Sequence, residues 1–113
     1  MEKHIELGSL LDYYGALLTG RQRALMEQYL LEDCSLAEIA EREGISRQGV
    51  RDALKRGEEQ LYALEQSLGL MKRDAALQRG LRELKRLAQT LPEGATKAAL
   101  CAKADELYNM VEE

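Results

Sequence analysis

Apolar residues recur along the chain at steps of three and four. Leu7, Leu10, Leu11, Tyr14, Leu17 and Leu18 form one such series, and Leu25, Met26, Tyr29 and Leu30 form another. At 3.6 residues per turn this spacing returns a side chain to the same helical face. No stretch alternates Val, Ile, Thr or aromatic residues as a half-buried strand would. Phe and Trp are absent, and Leu, a good helix former, is common. The pattern predicts an all-α fold with helices near 4–18, 20–32, 36–43, 46–69, 72–90 and 95–112. Gly69 and Pro92-Glu93-Gly94 mark the later breaks. Thr19 with Gln22, and Ser35 with Glu38, have capping-box spacing, in which hydroxyl and side chain each satisfy the other's free amide. Ser46 is a further N-cap, without the reciprocal half because Gly49 stands at the third helical position.

Residues 35–57 (SLAEIAEREGISRQGVRDALKRG) carry the most information. A two-turn helix ends at Glu43-Gly44, and a second helix opens at Ser46 after Ile45. Two helices meeting steeply across so short a turn make a helix-turn-helix unit. Ala40 is small enough for the helices to cross there, and Gly44 takes the left-handed turn conformation cheaply. Ile39, Ile45, Val50 and Leu54 are expected to face a shared core. The outward side of the second helix then carries Arg47, Gln48, Arg51, Lys55 and Arg56. Residues 46–57 hold four basic side chains and one acid, a balance of +3, whereas 36–43 balance to −2. A positive helix with Arg and Gln near its start suits a major groove, because Arg reads guanine and Gln reads adenine bidentately. Ser46 and the helix start suit a phosphate. The candidate nucleic-acid-binding residues are therefore Ser46, Arg47, Gln48, Arg51, Lys55 and Arg56. A basic amphipathic helix is also often only a solvated face, and helix-turn-helix geometry serves protein contacts too, so a protein-only role stays open. Gly49 and Gly57 each cost this helix about 0.5–1 kcal/mol relative to Ala. Gly49 is expected to allow a close approach of either a neighbouring helix or a phosphate backbone.

Farther on, Leu61, Leu64, Leu68 and Met71 continue the long helix. Leu77, Leu81, Leu84, Ala88 and Leu91, then Leu100, Ala104, Leu107 and Val111, mark two amphipathic helices that would pair as an antiparallel hairpin. The expected organisation is a helix-turn-helix domain over 1–70 and a helical extension over 71–113 for packing or dimerisation. A helix of about 24 residues from Ser46 is about 36 Å long. Its distal half needs a surface to lie on, which favours a homodimer over closure within one chain. Dimeric helix-turn-helix proteins set two recognition helices about 34 Å apart. Arg79, Arg82, Lys85 and Arg86 make a second basic cluster, expected to be a charged face opposite a Leu stripe, though able to touch RNA or phosphate.

Composition changes this picture mainly by exclusion. The chain has 113 residues, 16 Lys plus Arg against 20 Asp plus Glu, and a net charge of −4, so no histone-like basic coat exists. Cys34, Cys101 and His4 are too few and too scattered for a four-ligand metal site. They are expected to be reduced thiols and a solvated imidazole. No phosphate loop, HExxH or nucleophile elbow occurs, so no enzyme activity and no cofactor are expected. No apolar run is long enough for a membrane span, and the polar start MEKHIELGSL does not look like a signal peptide, which leads to a cytoplasmic expectation.

The residues from Leu18-Thr19-Gly20-Arg21-Gln22-Arg23 through Ser35-Leu36-Ala37-Glu38-Ile39-Ala40 to Gly44-Ile45-Ser46-Arg47-Gln48-Gly49-Val50 resemble region 4 of the bacterial sigma-70 factors. The opening Leu10-Leu11-Asp12-Tyr13-Tyr14-Gly15-Ala16-Leu17-Leu18-Thr19, and Ser46–Asp52 running on to Leu61, are similar to the small YlxM family. Those are helix-turn-helix proteins encoded beside the signal recognition particle. The resemblance covers about residues 5–73 and is least over 74–113. It implies a sigma region 4-like bundle with a C-terminal extension, acting as a DNA-binding regulator rather than a sigma factor. It also implies, as the other possibility, an adaptor on the signal recognition particle GTPase or its small RNA. The sigma pattern implies that Arg47, Gln48, Arg51 and Lys55 face the nucleic acid.

Overall fold

The computed structural model describes residues 2–112. Met1 and Glu113, the outermost residues of the two expected segments, lie outside the described residues. All regular structure among the described residues is helical: α1 (Lys3–Tyr14), a 3-10 turn (Gly15–Leu17), α2 (Gly20–Leu30), α3 (Leu36–Glu43), α4 (Arg47–Leu68), α5 (Leu70–Ala88) and α6 (Ala95–Glu112). None of these helices is long and apolar enough to cross a membrane. Two compact units meet in sequence at Gly69–Leu70.

In the first unit, Leu25, Cys34, Ile39, Ala40, Val50 and Ala53 form a buried cluster, with Leu36, Ile45 and Leu54 packed against it. The inward set expected of α3, the turn and α4 is thus in place. A second group, Leu7, Leu10, Leu11 and Tyr14 of α1 with Leu61 of α4, is also buried. Lys3 pairs with Glu58 at 2.7 Å, and the Tyr14 hydroxyl donates to Glu65. Burial, together with the nearby Glu6 carboxylate, holds the Tyr62 phenol above its usual range. The distal half of α4 therefore rests on α1. The length of that helix needs no second copy, contrary to the expectation from its span.

Three further expectations are corrected. The first helix ends at Tyr14, not near residue 18. The tighter 3-10 turn shifts the rotational phase, so Leu18 is buried while Leu17 is 57 % exposed. Thr19 does cap α2 by accepting from the Gln22 amide at 3.1 Å, but the Gln22 side chain does not reach back. It donates instead to the Ala53 carbonyl of α4. That reach is possible because α4 comes very close to α2 at Gly57, not at Gly49. A Cβ on Gly57 would lie 2.8 Å from Met26 Sδ, whereas a Cβ on Gly49 would meet only Ile45 and its own cap, Ser46.

In the second unit α5 and α6 run antiparallel. Lys85 pairs with Asp105 at 2.9 Å, and Arg82 donates to the Tyr108 hydroxyl at 3.1 Å with its guanidinium 5.7 Å from that ring centroid. Ala88 and Ala104 are the buried apolar residues of this unit.

Candidate nucleic-acid interface

The bihelical corner is built from short-range chemistry. Ser35 accepts from the Glu38 amide at 3.1 Å, and Glu38 accepts from the Ser35 amide at 3.0 Å, a complete capping box. Hydrogen bonds from Ser35 hold the Glu38 carboxyl below the usual carboxylate range. At the far end of α3 Gly44 has φ 66° and ψ 35°, a left-handed conformation that a Cβ would strain. The Gly44 and Ile45 amides both donate to the Ala40 carbonyl. Ser46 then caps α4 by accepting from the Gly49 amide at 2.9 Å. Three residues thus turn the chain, and Ile39 and Val50, both fully buried, lock the two helices together.

This arrangement leaves Ser46, Arg47, Gln48, Arg51, Lys55 and Arg56 all exposed. At about 100° per residue, Arg47, Gln48, Arg51 and Lys55 share one stripe of α4. Arg56 is separated from them: nine residues beyond Arg47, it lies about half a turn around the helix. Among the described residues none of Arg47, Arg51, Lys55 and Arg56 makes an ion pair. Gln48 is engaged, donating to Asp52 at 2.9 Å, and must release that partner to read a base. The i,i+4 spacing of Gln48 and Asp52 is the sequence signal for this bond.

The α5 cluster is different. Arg82, Lys85 and Arg86 are all held within the hairpin, by Tyr108, Asp105 and Glu83 respectively. Lys85 and Arg82 thereby tie α5 to α6, and Arg86 is paired along α5 itself. What sequence reasoning missed is the role of Gln22 and Gly57 between helices, where they seat α4 on α2. Cys34 and Cys101 are free thiols, and no group of three His, Cys, Asp or Glu among the described residues is placed to hold a metal.

The family model described as "Putative helix-turn-helix protein, YlxM / p13 like" matches residues 1–103. The match thus extends well past residue 73, where the sequence resemblance was expected to fade, and takes in most of the hairpin. A UPF0122 protein of Thermoanaerobacter sp. (strain X514) is 41 % identical over 104 residues, covering 92 % of this chain and 89 % of that protein. A UPF0122 protein of Bacillus velezensis (strain DSM 23117) is 38 % identical over 107 residues, covering 95 % and 97 %. One of Clostridium botulinum (strain Alaska E43 / Type E3) is 38 % identical over 113 residues, covering 100 % and 95 %. With the helix-turn-helix corner in place and the match running through both units, the chain belongs to the UPF0122 family of YlxM- and p13-like helix-turn-helix proteins.

Proposed function

We propose that the protein is a cytoplasmic, non-enzymatic DNA-binding regulator that inserts the start of α4 into the major groove and acts as a homodimer. The observation that carries this reading is the set of exposed, unpaired cations on α4. For Arg47 the placement is costly to the fold. Arg47 sits at the first position of α4, where no acid occupies the first turn and the helix dipole is positive. A cation there is disfavoured by about 0.3–1 kcal/mol, so a bound anion is the natural compensation. In this reading Arg47 and Gln48 address base edges, while Arg51, Lys55 and the Ser46 hydroxyl hold phosphates. Arg56, off the stripe, contacts at most the flanking backbone.

The test is fluorescence anisotropy on a mixed-sequence duplex. Arg51 and Lys55 from each of two copies neutralise four phosphates, so log K should fall with log salt at a slope of about −3 to −4 between roughly 50 and 300 mM. Absence of binding at the lowest salt, or a slope near zero, contradicts the proposal. The net charge of −4 favours a second reading, because duplex binders more often run basic. This is an adaptor docking on the signal recognition particle GTPase or its small RNA, which predicts co-purification with that complex and indifference to duplex DNA.

A further inference from the structure

The α5–α6 hairpin has two unlike sides. One groove beside the helix contact is lined by Leu81, Arg82, Lys85, Ala104, Asp105 and Tyr108, and is bridged by polar contacts. The other is wholly apolar, a cavity of about 230 Å³ lined by Leu84, Leu87, Ala88, Leu91 and Leu100. Helical register explains the division. Residues 74, 78, 81, 85 and 88 turn toward α6, Leu77 and Leu84 fall on an adjacent stripe, and Leu91 lies in the turn just beyond α5. By the same rotation Leu100 and Leu107 fall beside the inward residues 97, 101, 104 and 108. Because the helices are antiparallel, these two stripes lie on one side of the hairpin. Leu77, Leu84, Leu87, Leu91, Leu100 and Leu107 are each 39–50 % exposed there.

We infer that this leucine side is where a second copy of the chain docks, closing two hairpins into a four-helix bundle. The inference rests on the homodimer reading above and names its surface. Three observations select the occupant. Leu77, Leu84 and Leu91 repeat every seven residues, as do Leu100 and Leu107, which is the spacing of helices packed at a shallow angle. An identical hairpin supplies helices of matching length and repeat. The six leucines expose roughly 500 Å² per copy, so covering them fully on two copies buries about 1,000 Å², the lower bound for a specific interface. The charges that flank this side by the same rotation, Arg73 and Lys103, are paired within the hairpin with Asp74 and Glu106, so two like edges meet without net repulsion.

Sedimentation equilibrium on the full chain from about 1 to 100 µM tests this. The wild type is expected at twice the 12.7 kDa of one chain. Leu77→Glu with Leu84→Glu should raise the dimer dissociation constant at least about 100-fold, since each buries an unpaired charge at the centre of the contact. Helicity by circular dichroism should hold, because both positions are half exposed within one hairpin. Should the double variant lose helicity, Leu107→Glu on α6 gives the same comparison. Arg79→Glu on the charged side should remain dimeric. A monomeric wild type, including one that instead captures another protein, overturns the homodimer and this surface together. A Leu variant that stays dimeric overturns the surface alone. Neither result touches DNA binding, which Arg47→Ala with Arg51→Ala reports separately in a protein that should still be dimeric.

Discussion

Replacing Arg47 and Arg51 together by Ala should lower affinity for duplex DNA at least about 100-fold, with no loss of thermal stability. A base contact by Arg47 is worth about 1–3 kcal/mol and a charged hydrogen bond from Arg51 to phosphate about 1.5–3 kcal/mol, and every 1.4 kcal/mol is tenfold in affinity. Two contacts at the low-to-middle part of those ranges give the stated factor. The stability half of the prediction is as informative as the binding half. Among the described residues neither guanidinium makes an ion pair, and both side chains are exposed, so the fold loses no ion pair when they go. Ala has the best helix propensity, and removing a cation from the positive end of α4 relieves a dipole penalty. The melting temperature should therefore be unchanged or slightly higher. A residue kept for folding would behave in the opposite way. Binding within about threefold of wild type, read by anisotropy at low salt, counts against the proposed mode.

Ile39→Ala should cost about 2–5 kcal/mol, the usual range for emptying a fully buried aliphatic site. Ile39 is completely buried in the cluster with Leu25, Val50 and Ala53, at the crossing of α3 and α4. Close packing leaves no slack there to collapse into the gap. A domain of this size has about 5–15 kcal/mol in total, so the loss should be large in equilibrium urea unfolding. Tyrosine fluorescence suits the measurement, because four of the five Tyr residues (Tyr13, Tyr14, Tyr29 and Tyr62) lie in the first unit. The contrast is Leu17→Ala, at a site 57 % exposed, which should change stability by less than about 0.5 kcal/mol. Equal effects at the two positions are incompatible with the corner described here. Because Ile39 also aligns α4, surviving Ile39→Ala protein should bind DNA less tightly although no base-facing residue has changed.

The corner itself was legible because it is made of local chemistry. The Ser35–Glu38 box, the left-handed Gly44 and the Ser46 cap each depend on residues within three or four positions, so spacing is enough to find them. The bounds 36–43 for α3 coincide with Leu36–Glu43 for the same reason. What depends on packing between distant elements was not legible. Nothing near Gln22 announces that its amide will seek the Ala53 carbonyl of another helix rather than its own cap. Gly57 carries no mark of the Met26 sulfur that its missing Cβ admits. Leu17 fits the helical period as well as Leu18 does, and only the 3-10 turn separates them. In the hairpin the seven-residue rhythm joins Leu77, Leu84 and Leu91 to Leu81 and Ala88, yet spacing cannot say which stripe meets α6. Arg56 differs in kind: its angle from Arg47 follows from counting residues, and summing charge over the helix conceals it.

The stripe on α4 is best tested by nitrogen–proton correlation spectra of the labelled full chain titrated with duplex DNA. The largest shifts should fall on the amides of residues 46–51, with smaller ones at Lys55 and little change across α5 and α6. Shifts confined to residues 70–112, or none at all at a saturating duplex concentration, would contradict the account.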